Sequence, residues 1–212
     1  VVEADEYNDN FLPIKPDTSV VTNIEFDHPE YFKDLNSYKE SFRKFLESTK
    51  KTIIANLSDP VVKQLLNGHP KGIHIVLDYS KKLIDFKLQI PGEFNRWNAS
   101  AAFQVGLLLG IKSQTIKQSL KNYKGISRRF EYLGEYHGAK VYSDFGHHPT
   151  EIKETMQAVS QKFPNQRIVL IYQPHMFTRT KAFFNDFVKT FKELPVDQII
   201  ITDIYQSRET DK

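Results

Sequence analysis

Cysteine is absent from this sequence, and its absence excludes several kinds of chemistry. A chain without cysteine forms no disulfide, uses no thiolate nucleophile and builds no zinc–thiolate site. The composition is compatible with a reducing compartment, and on this basis we expect a cytoplasmic protein.

Long apolar runs and an excess of one charge are also missing. No stretch reaches the roughly 20 apolar residues that span a membrane, so we expect no membrane partner. The 29 basic and 26 acidic residues leave a formal charge of +3. This near balance argues against a protein that coats nucleic acid, and it leaves open a local basic pocket for phosphate groups. The length of 212 residues, 40% of them hydrophobic, suits one large or two modest globular domains.

Apolar periodicity predicts an alternation of strands and helices. Strands are predicted at residues 1–4, 19–24, 52–56, 72–79, 83–90, 130–136, 139–145, 167–173 and 197–203. Helices are predicted at residues 32–48, 58–66, 95–109, 115–123, 149–163 and 181–194, with Ser58 or Asp59 as the cap of the second and Pro60 in its first turn. The alternation implies an α/β fold with parallel βαβ units in a doubly wound sheet, where ligands bind beyond the carboxyl ends of the strands.

The glycine-containing polar segment KGISRRF is the predicted domain boundary, which divides the chain into residues 1–124 and 125–212. Both ends of the sequence look like cuts through a larger fold. VVEADE begins without Met and has the pattern of a strand end, and YQSRETDK follows another strand-like run. We therefore expect a fragment of a longer protein.

The first polar constellation combines Glu3 and Asp5 or Glu6 with Asp27 and His28, which follow two successive strand-like runs. Carboxylates and an imidazole at neighbouring strand ends suit a hard divalent cation that keeps waters for phosphate oxygens. The alternative is that the acids cap loops and that His28 makes a local hydrogen bond.

The second constellation is FNRWN, in which Asn95 and Asn98 share one face at the start of a helix. Paired amides can read the edge of a purine, but asparagine is also a favoured helix cap.

The third constellation is SRRF, in which Arg128 and Arg129 lie at the predicted domain boundary. There, a guanidinium could swing onto a phosphate on domain closure, or it could belong to a solvated basic linker.

The fourth constellation joins SDFGHHPTE with QPHMFTRT, which follow two strands that we expect to be neighbours in the sheet. It contains Asp144, His147, His148, His175 and Arg179. Adjacent histidines usually point their rings in different directions, which disfavours zinc, and nothing marks a nucleophilic triad. Arg179 indicates binding of an anion or a carboxylate. Because Pro149 suits the first turn of a helix, His148 is a candidate cap.

Taken in order, these stretches resemble the Mur ligases, the ATP-dependent amide-forming enzymes of peptidoglycan synthesis. The resemblance rests on EADEYNDNFL, PDTSVVTNIEFDHPEYF, PGEFNRWNASAA, ISRRFEYLG, SDFGHHPTEI, QPHMFTRT and TDIYQSRE, which span nearly the whole chain. It implies a partial central ATPase domain, with a mixed or parallel sheet and helices, over residues 1–124. Residues 125–212 would be most of a Rossmann-like α/β C-terminal domain that binds the amino acid.

The family's phosphate-binding loop is missing, because no GxxxxGK[ST] or related pattern occurs in the sequence. This absence predicts that the 212 residues alone are an inactive fragment. The FTRT segment is more similar to the branch that joins L-alanine to UDP-N-acetylmuramate than to the branch that recycles murein tripeptide. A nucleotide- or metal-binding module without catalysis and a zinc hydrolase that uses the histidines are the remaining alternatives.

The resemblance also implies roles for individual residues. Glu3 would bind the magnesium ion (Mg²⁺) that accompanies the ATP phosphates, and His28 would hold a second magnesium ion near an acyl phosphate. The implied nucleotide contacts are Asn95 and Asn98 to adenine, Arg129 and less directly Arg128 to phosphate, and Asp144 to ribose.

The amino-acid side of the reaction is implied at His147 and Arg179, which match positions that face the incoming amino acid and the reaction centre. Three positions depart from the family pattern: Phe94 replaces a common histidine, Phe145 a frequent tyrosine, and Met176 a frequent arginine.

Overall fold

The computed structural model describes residues 1–67 and 75–209 of the chain. The chain divides into two compact units, Val1–Asp85 with Arg96–Gln118, and Phe86–Asn95 with Ser119–Lys212. This division by contacts is not the same partition as the domain ranges 1–124 and 125–212, which stay a prediction.

The first unit is built on a parallel sheet in the order β1–β2–β3. The strands are β1 (Thr18–Val21), β2 (Thr52–Ala55) and β3 (Ile75–Asp78). All four residues of β2 are buried, because this central strand is covered on both faces. Ile53 contributes to one hydrophobic cluster, and Ile54 contributes to another with Tyr79 and Ala101, since successive strand residues face opposite sides.

Among the helices that the structure describes, the first, second and fifth begin at a side-chain cap. The described helices are α1 (Leu35–Glu47), α2 (Pro60–Leu66), α3 (Glu93–Leu108), α4 (Ser113–Asn122), α5 (Pro149–Lys162), α6 (Phe177–Ala182) and α7 (Phe184–Glu193). Asp59 caps α2 by accepting the Val62 N–H at 2.8 Å, with Pro60 as the first helical residue, which confirms that predicted start. Among the described helices, none has the length and apolar character needed to cross a membrane.

The second unit contains two separate two-stranded sheets. Strands β4 (Glu131–Tyr136) and β5 (Ala139–Ser143) form an antiparallel hairpin. Its turn residues His137 and Gly138 both have positive φ, +47° and +81°, which matches the twist of a two-residue hairpin. Strands β6 (Val169–Tyr172) and β7 (Gln198–Ile201) pair in parallel. Buried residues of α5, β6 and α7 form the core of this unit: Ile152, Met156, Tyr172 and Phe187, with Leu194 just after α7.

The α/β class is confirmed, with both parallel and antiparallel sheets, but two predicted strands are wrong. Residues 1–4 are not in a strand, and the Val1 and Val2 side chains are exposed there. Residues 83–90 also form no strand, and at the buried Ile84 side chains of α3 bind the backbone in place of a neighbouring strand. The Ile84 N–H donates to Ser100 Oγ at 2.9 Å, and Arg96 Nη2 donates to the Ile84 carbonyl at 3.2 Å.

Three further predictions need correction or restriction. The helix expected at 181–194 is divided into α6 and α7 at Phe183, whose φ of −104° and ψ of 19° depart from helical values. The strands that end at Ser143 and Tyr172 are not paired neighbours, because β5 pairs with β4 and β6 pairs with β7. The strand expected at 72–79 is confirmed for Ile75–Asp78, and residues 72–74 lie outside the described residues.

Candidate functional site

His28 lies between carboxylates in the loop that follows β1. Its Nε2 is 3.4 Å from Glu6 Oε1, and its Nδ1 is 3.3 Å from Glu30 Oε1. Its backbone N–H donates to Asp27 Oδ1 at 2.7 Å, and its φ of +57° lies in the left-handed region. Such a conformation is uncommon outside glycine and often accompanies functional sites.

The charges around His28 favour its protonated form. Burial alone lowers the pKa of His28, but hydrogen bonds to Glu6 and Glu30 and the charge of Asp27 outweigh burial and raise the pKa above its ordinary 6.5. Burial alone raises the pKa of Glu6, but the hydrogen bond from His28 outweighs it, so this pKa is lowered. The two residues therefore favour an imidazolium–carboxylate pair.

The sequence left open whether Asp5 or Glu6 lies beside His28, and the structure places Glu6 there. Glu6 pairs with His28 and also accepts a hydrogen bond from the Tyr38 hydroxyl at 3.3 Å. Asp5 instead accepts the Tyr7 N–H at 3.1 Å, at the start of a short 3₁₀ helix. Glu30 was missed by sequence reasoning, although its position two residues after His28 in DHPE was a usable signal.

The described residues contain no group of three or more histidine, aspartate or glutamate side chains arranged to hold a metal ion. A magnesium ion that keeps its waters needs only one or two protein carboxylates, and the exposed Glu3 fits that limited role. Both ring nitrogens of His28 face carboxylates, at 3.4 and 3.3 Å, and metal ligation by His28 stays a prediction. Ligation would require loss of its proton and of one carboxylate contact.

Asn95 and Asn98 lie in the first two turns of α3. Asn95 Nδ2 donates to the Pro91 carbonyl at 2.6 Å, whereas Asn98 is exposed. The helix begins at Glu93, so neither residue stands at the capping position, and the capping interpretation is wrong for this helix. The contact with adenine stays a prediction.

Asp144 fixes the loop that follows β5. Its Oδ1 accepts the Gly146 N–H at 2.8 Å, and its Oδ2 accepts the Phe130 N–H at 2.9 Å. A Cβ atom at position 146 would lie 2.9 Å from Asp144 Oδ1, which explains the glycine at this close approach. The carboxylate is oriented by the backbone, and its predicted contact with ribose is not tested by these hydrogen bonds.

His147 and His148 follow in the same loop, and their rings have different partners, as the sequence predicted. His148 caps α5, since the Thr150 N–H donates to its Nδ1 at 3.4 Å, which confirms the capping prediction. Glu151 completes the capping box by accepting the backbone N–H groups of His147 and His148 at 2.9 and 3.1 Å. His147 Nδ1 lies 3.0 Å from the Phe145 carbonyl oxygen. Because a carbonyl oxygen can only accept, Nδ1 carries the proton. In the neutral ring the lone pair is then on Nε2.

Arg128 and Arg129 lie against the same loop. Their guanidinium carbons are 4.4 and 5.5 Å from the centre of the Phe145 ring, within the range of cation–π attraction. Arg129 Nη1 is 3.8 Å from Glu151 Oε1, and its side chain is 49% exposed. The phenylalanine that replaces the family's frequent tyrosine therefore stacks with the arginines, and the phosphate contact of Arg129 stays a prediction.

Arg179 and His175 belong to the loop and helix that follow β6. Arg179 is only 2% exposed, and its Nη1 lies 3.0 Å from His175 Nδ1. A guanidinium can only donate, so His175 Nδ1 accepts and the ring is neutral with its proton on Nε2. Burial and the charge of Arg179 accordingly lower the pKa of His175. The ring centres of His147 and His175 are 5.7 Å apart, so the two loops meet although β5 and β6 do not pair.

Comparison with known proteins identifies the family. The model of the Mur ligase middle domain matches residues 5–82, and the model described as "Mur ligase, glutamate ligase domain" matches residues 128–212. The chain belongs to the Mur ligase family and contains sequence of its middle and C-terminal domains.

Curated relatives match along the whole chain. The UDP-N-acetylmuramate–L-alanine ligase of Bdellovibrio bacteriovorus is 35% identical over 99% of this chain and 52% of the relative. The enzyme of the same name from Caldicellulosiruptor bescii is 38% identical over 99% of this chain and 51% of its own length. The chain thus spans about half the length of these relatives.

Solved structures share the fold. UDP-N-acetylmuramate–alanine ligase from Thermotoga maritima aligns with 94% of this chain and 48% of its own, with a TM-score of 0.70 and 23% identity. MurF from Acinetobacter baumannii aligns with 91% of this chain and 48% of its own, with a TM-score of 0.74 and 16% identity.

Proposed function

We propose that the protein to which this chain belongs joins L-alanine to UDP-N-acetylmuramate in an ATP-dependent reaction of cytoplasmic peptidoglycan synthesis. The observation that carries the proposal is the run of curated relatives with that activity in their names, which are 35% and 38% identical over 99% of the chain. The two loops that meet at His147 and His175 support it with a buried cation, a neutral imidazole and a second histidine.

The proposed reaction has two steps. The carboxylate of UDP-N-acetylmuramate attacks the γ-phosphate of ATP, which forms an acyl phosphate and releases ADP. The amine of alanine, after loss of a proton from its ammonium form, attacks the acyl carbon, and the tetrahedral intermediate expels phosphate to leave the amide. Both steps develop negative charge on oxygen atoms that fixed cationic groups can stabilise.

Arg179 and His147 are proposed to act on the amino acid. The Arg179 guanidinium is a donor of fixed orientation that suits the carboxylate of alanine. Its buried position strengthens such a contact, because little water competes for the donors. His147 faces the reaction centre in the proposal, and its Nε2 lone pair can accept the proton that the attacking ammonium loses.

The nucleotide side is proposed from the remaining residues. Asn95 and Asn98 would contact adenine, Arg129 the phosphates, and Asp144 the ribose through lone pairs that its backbone contacts leave available. Glu3 would be the carboxylate ligand of a magnesium ion, which supplies neutralisation of the phosphate charge when bound. His28 is proposed beside it as an imidazolium held by Glu6 and Glu30, because ligation by this ring would need the rearrangement described above.

The proposal is tested by measuring phosphate release from the full-length protein with ATP, Mg²⁺ and UDP-N-acetylmuramate. Release that depends on L-alanine supports it. Release only with the tripeptide L-alanyl-γ-D-glutamyl-diaminopimelate would replace it with the recycling reaction. A full-length protein that binds ATP without release with either acceptor would support a module without catalysis.

A further inference from the structure

The first turn of α6 is held by the carboxylate of Glu209, from a segment about thirty positions further along the chain. Glu209 accepts hydrogen bonds from the Phe177 N–H, the Thr178 N–H and the Thr178 hydroxyl, with 3.1 Å between Thr178 N and Glu209 Oε1. The first N–H groups of a helix have no partner within the helix itself, so these contacts satisfy donors that the helix leaves open.

Helix α6 has no local side-chain cap that could replace Glu209. Its N-cap residue is Met176, which makes no side-chain capping bond and has a left-handed φ of +71°. The Met176 N–H donates to the Tyr205 carbonyl at 2.9 Å, and the Tyr205 N–H donates to the Pro174 carbonyl at 2.8 Å. The segment from Tyr205 to Glu209 therefore fixes both the loop after β6 and the start of α6.

The residues held in this way are next to the proposed amino-acid site. Arg179 directly follows Thr178, and His175 directly precedes Met176. The Arg179–His175 contact of 3.0 Å depends on the relative orientation of the loop and the helix turn. A shift of the turn by about 1 Å is enough to weaken a directional contact of this kind.

We propose that Glu209 is a positioning residue that sets the orientation of Arg179 and His175 by capping the first turn of α6. It acts through the backbone of Phe177 and Thr178 and does not touch the reacting atoms. The inference rests on the proposed function for the statement that Arg179 and His175 serve the amino acid. The order of the turn itself is independent of that function.

Hydrogen exchange of the full-length protein without substrates tests the capping contact directly. In Glu209→Ala, we expect exchange in peptides that cover residues 176–180 to be about 10-fold faster, because the Phe177 and Thr178 amides lose their acceptor. Glu209→Gln retains an acceptor oxygen and should change exchange less. The control is Glu193→Ala, which removes the same charge at a 49% exposed side chain that pairs with Lys153 at 3.6 Å.

Steady-state kinetics of the same variants test the consequence. Glu209→Ala should raise the KM for alanine about 10-fold, with the KM for ATP unchanged, and Glu209→Gln should recover most of the loss. Unchanged exchange at residues 176–180 would overturn the capping contact. Faster exchange with an unchanged KM for alanine would overturn the positioning role and leave Glu209 as a cap alone.

Failure of the proposed function gives a different result. A wild-type protein that releases no phosphate with alanine refutes the function, while the exchange experiment still decides whether Glu209 orders the turn. If Glu209→Ala does not fold, Glu209→Asp decides the outcome, because its shorter side chain keeps the charge and withdraws the carboxylate from the Phe177 and Thr178 amides. Faster exchange at residues 176–180 and a higher KM for alanine in Glu209→Asp than in Glu193→Ala would support the proposal, and equality would contradict it.

Discussion

The loops that follow β5 and β6 each present a histidine towards the other, but they are held by different means. The loop after β5 is fixed largely by its neighbours in sequence, since Asp144 binds Gly146 and Glu151 binds the backbone of His147 and His148. The loop after β6 is fixed by Tyr205 and Glu209, which lie about thirty positions away. The loop after β5 is thus organised mostly within a helix turn, with the Phe130 N–H bound to Asp144 as its more distant contact. The loop after β6 depends on a segment about thirty positions away.

A nearby partner within each segment sets the proton position on the two histidines. His147 Nδ1 faces a carbonyl oxygen of its own loop, so it must donate. His175 Nδ1 faces a guanidinium, so it must accept. Two rings whose centres are 5.7 Å apart therefore hold their protons on different nitrogens. In the proposed reaction, the loop after β5 supplies a proton acceptor, whereas the segment after β6 supplies a fixed cation.

Loss of Arg179, the buried cation that follows β6, should have the largest effect on activity. Arg179→Ala is expected to reduce kcat/KM for alanine about 100-fold in the full-length protein, because a buried charged donor is removed. Arg179→Lys should recover only part of it, since an ammonium lacks the planar fork. The control is Arg167→Ala, an exposed arginine that donates to Gln198 at 3.0 Å. Equal activity of the two alanine variants would remove Arg179 from the proposed site.

The second largest effect should be a loss of stability when the Glu151 cap is removed from the loop after β5. Glu151→Ala removes the acceptor of two backbone N–H groups, so the free energy of unfolding should fall by about 1–2 kcal/mol. Denaturant titration measures the change. Glu154→Ala is the control, with the same charge change on the same helix outside the capping box. A similar loss in both variants would show that helix charge, and not the cap, is responsible.

The two carboxylate anchors should act independently. The hydrogen bonds described for Glu151 and for Glu209 share no residue. The double variant Glu151→Ala/Glu209→Ala should therefore lose the sum of the single losses to within about 0.5 kcal/mol. A larger coupling energy from the double-mutant cycle would mean that the loops are ordered as one element.

The smallest expected effect is a pH dependence of stability that comes from His175, in the loop after β6. Burial, and then the charges of Arg179, His147 and Arg208, lower the pKa of His175 against the opposing charge of Glu209. Between this lowered value and the ordinary 6.5, the unfolded chain binds a proton that the folded chain does not. The free energy of unfolding should therefore decrease as the pH falls through that window, and the contribution should be constant above it.

Denaturant titrations at several pH values measure this slope. His175→Gln should reduce it, and His137→Gln, in the exposed hairpin turn, should leave it in place. An unchanged slope in His175→Gln would contradict the neutral state assigned to His175.

Much of the fold and part of the site followed from local sequence patterns. The strand TIIA, the cap and proline at Asp59–Pro60, and the capping role of His148 before Pro149 depend on residues within a few positions of one another. The strand predicted at residues 83–90 is not formed, and Ser100 and Arg96 of a later helix bind the backbone of Ile84 there. No periodicity within residues 83–90 could reveal partners that lie 12 to 16 positions away.

Motifs and caps are set by spacing along the chain, so sequence patterns were sufficient for the family resemblance and for the helix starts at Pro60 and Pro149. The other described helices begin at residues that the patterns did not predict. Only the tertiary structure decided that Glu6, and not Asp5, pairs with His28, and that Glu209 caps the helix of Arg179. It also decided the proton positions on His147 and His175. A cap needs only one turn of helix, whereas Glu6 and His28, or Glu209 and Thr178, lie far apart along the chain and come within hydrogen-bonding range only on folding. The partners of the two histidine rings lie within four positions, so the backbone conformation of each loop decides where the proton sits.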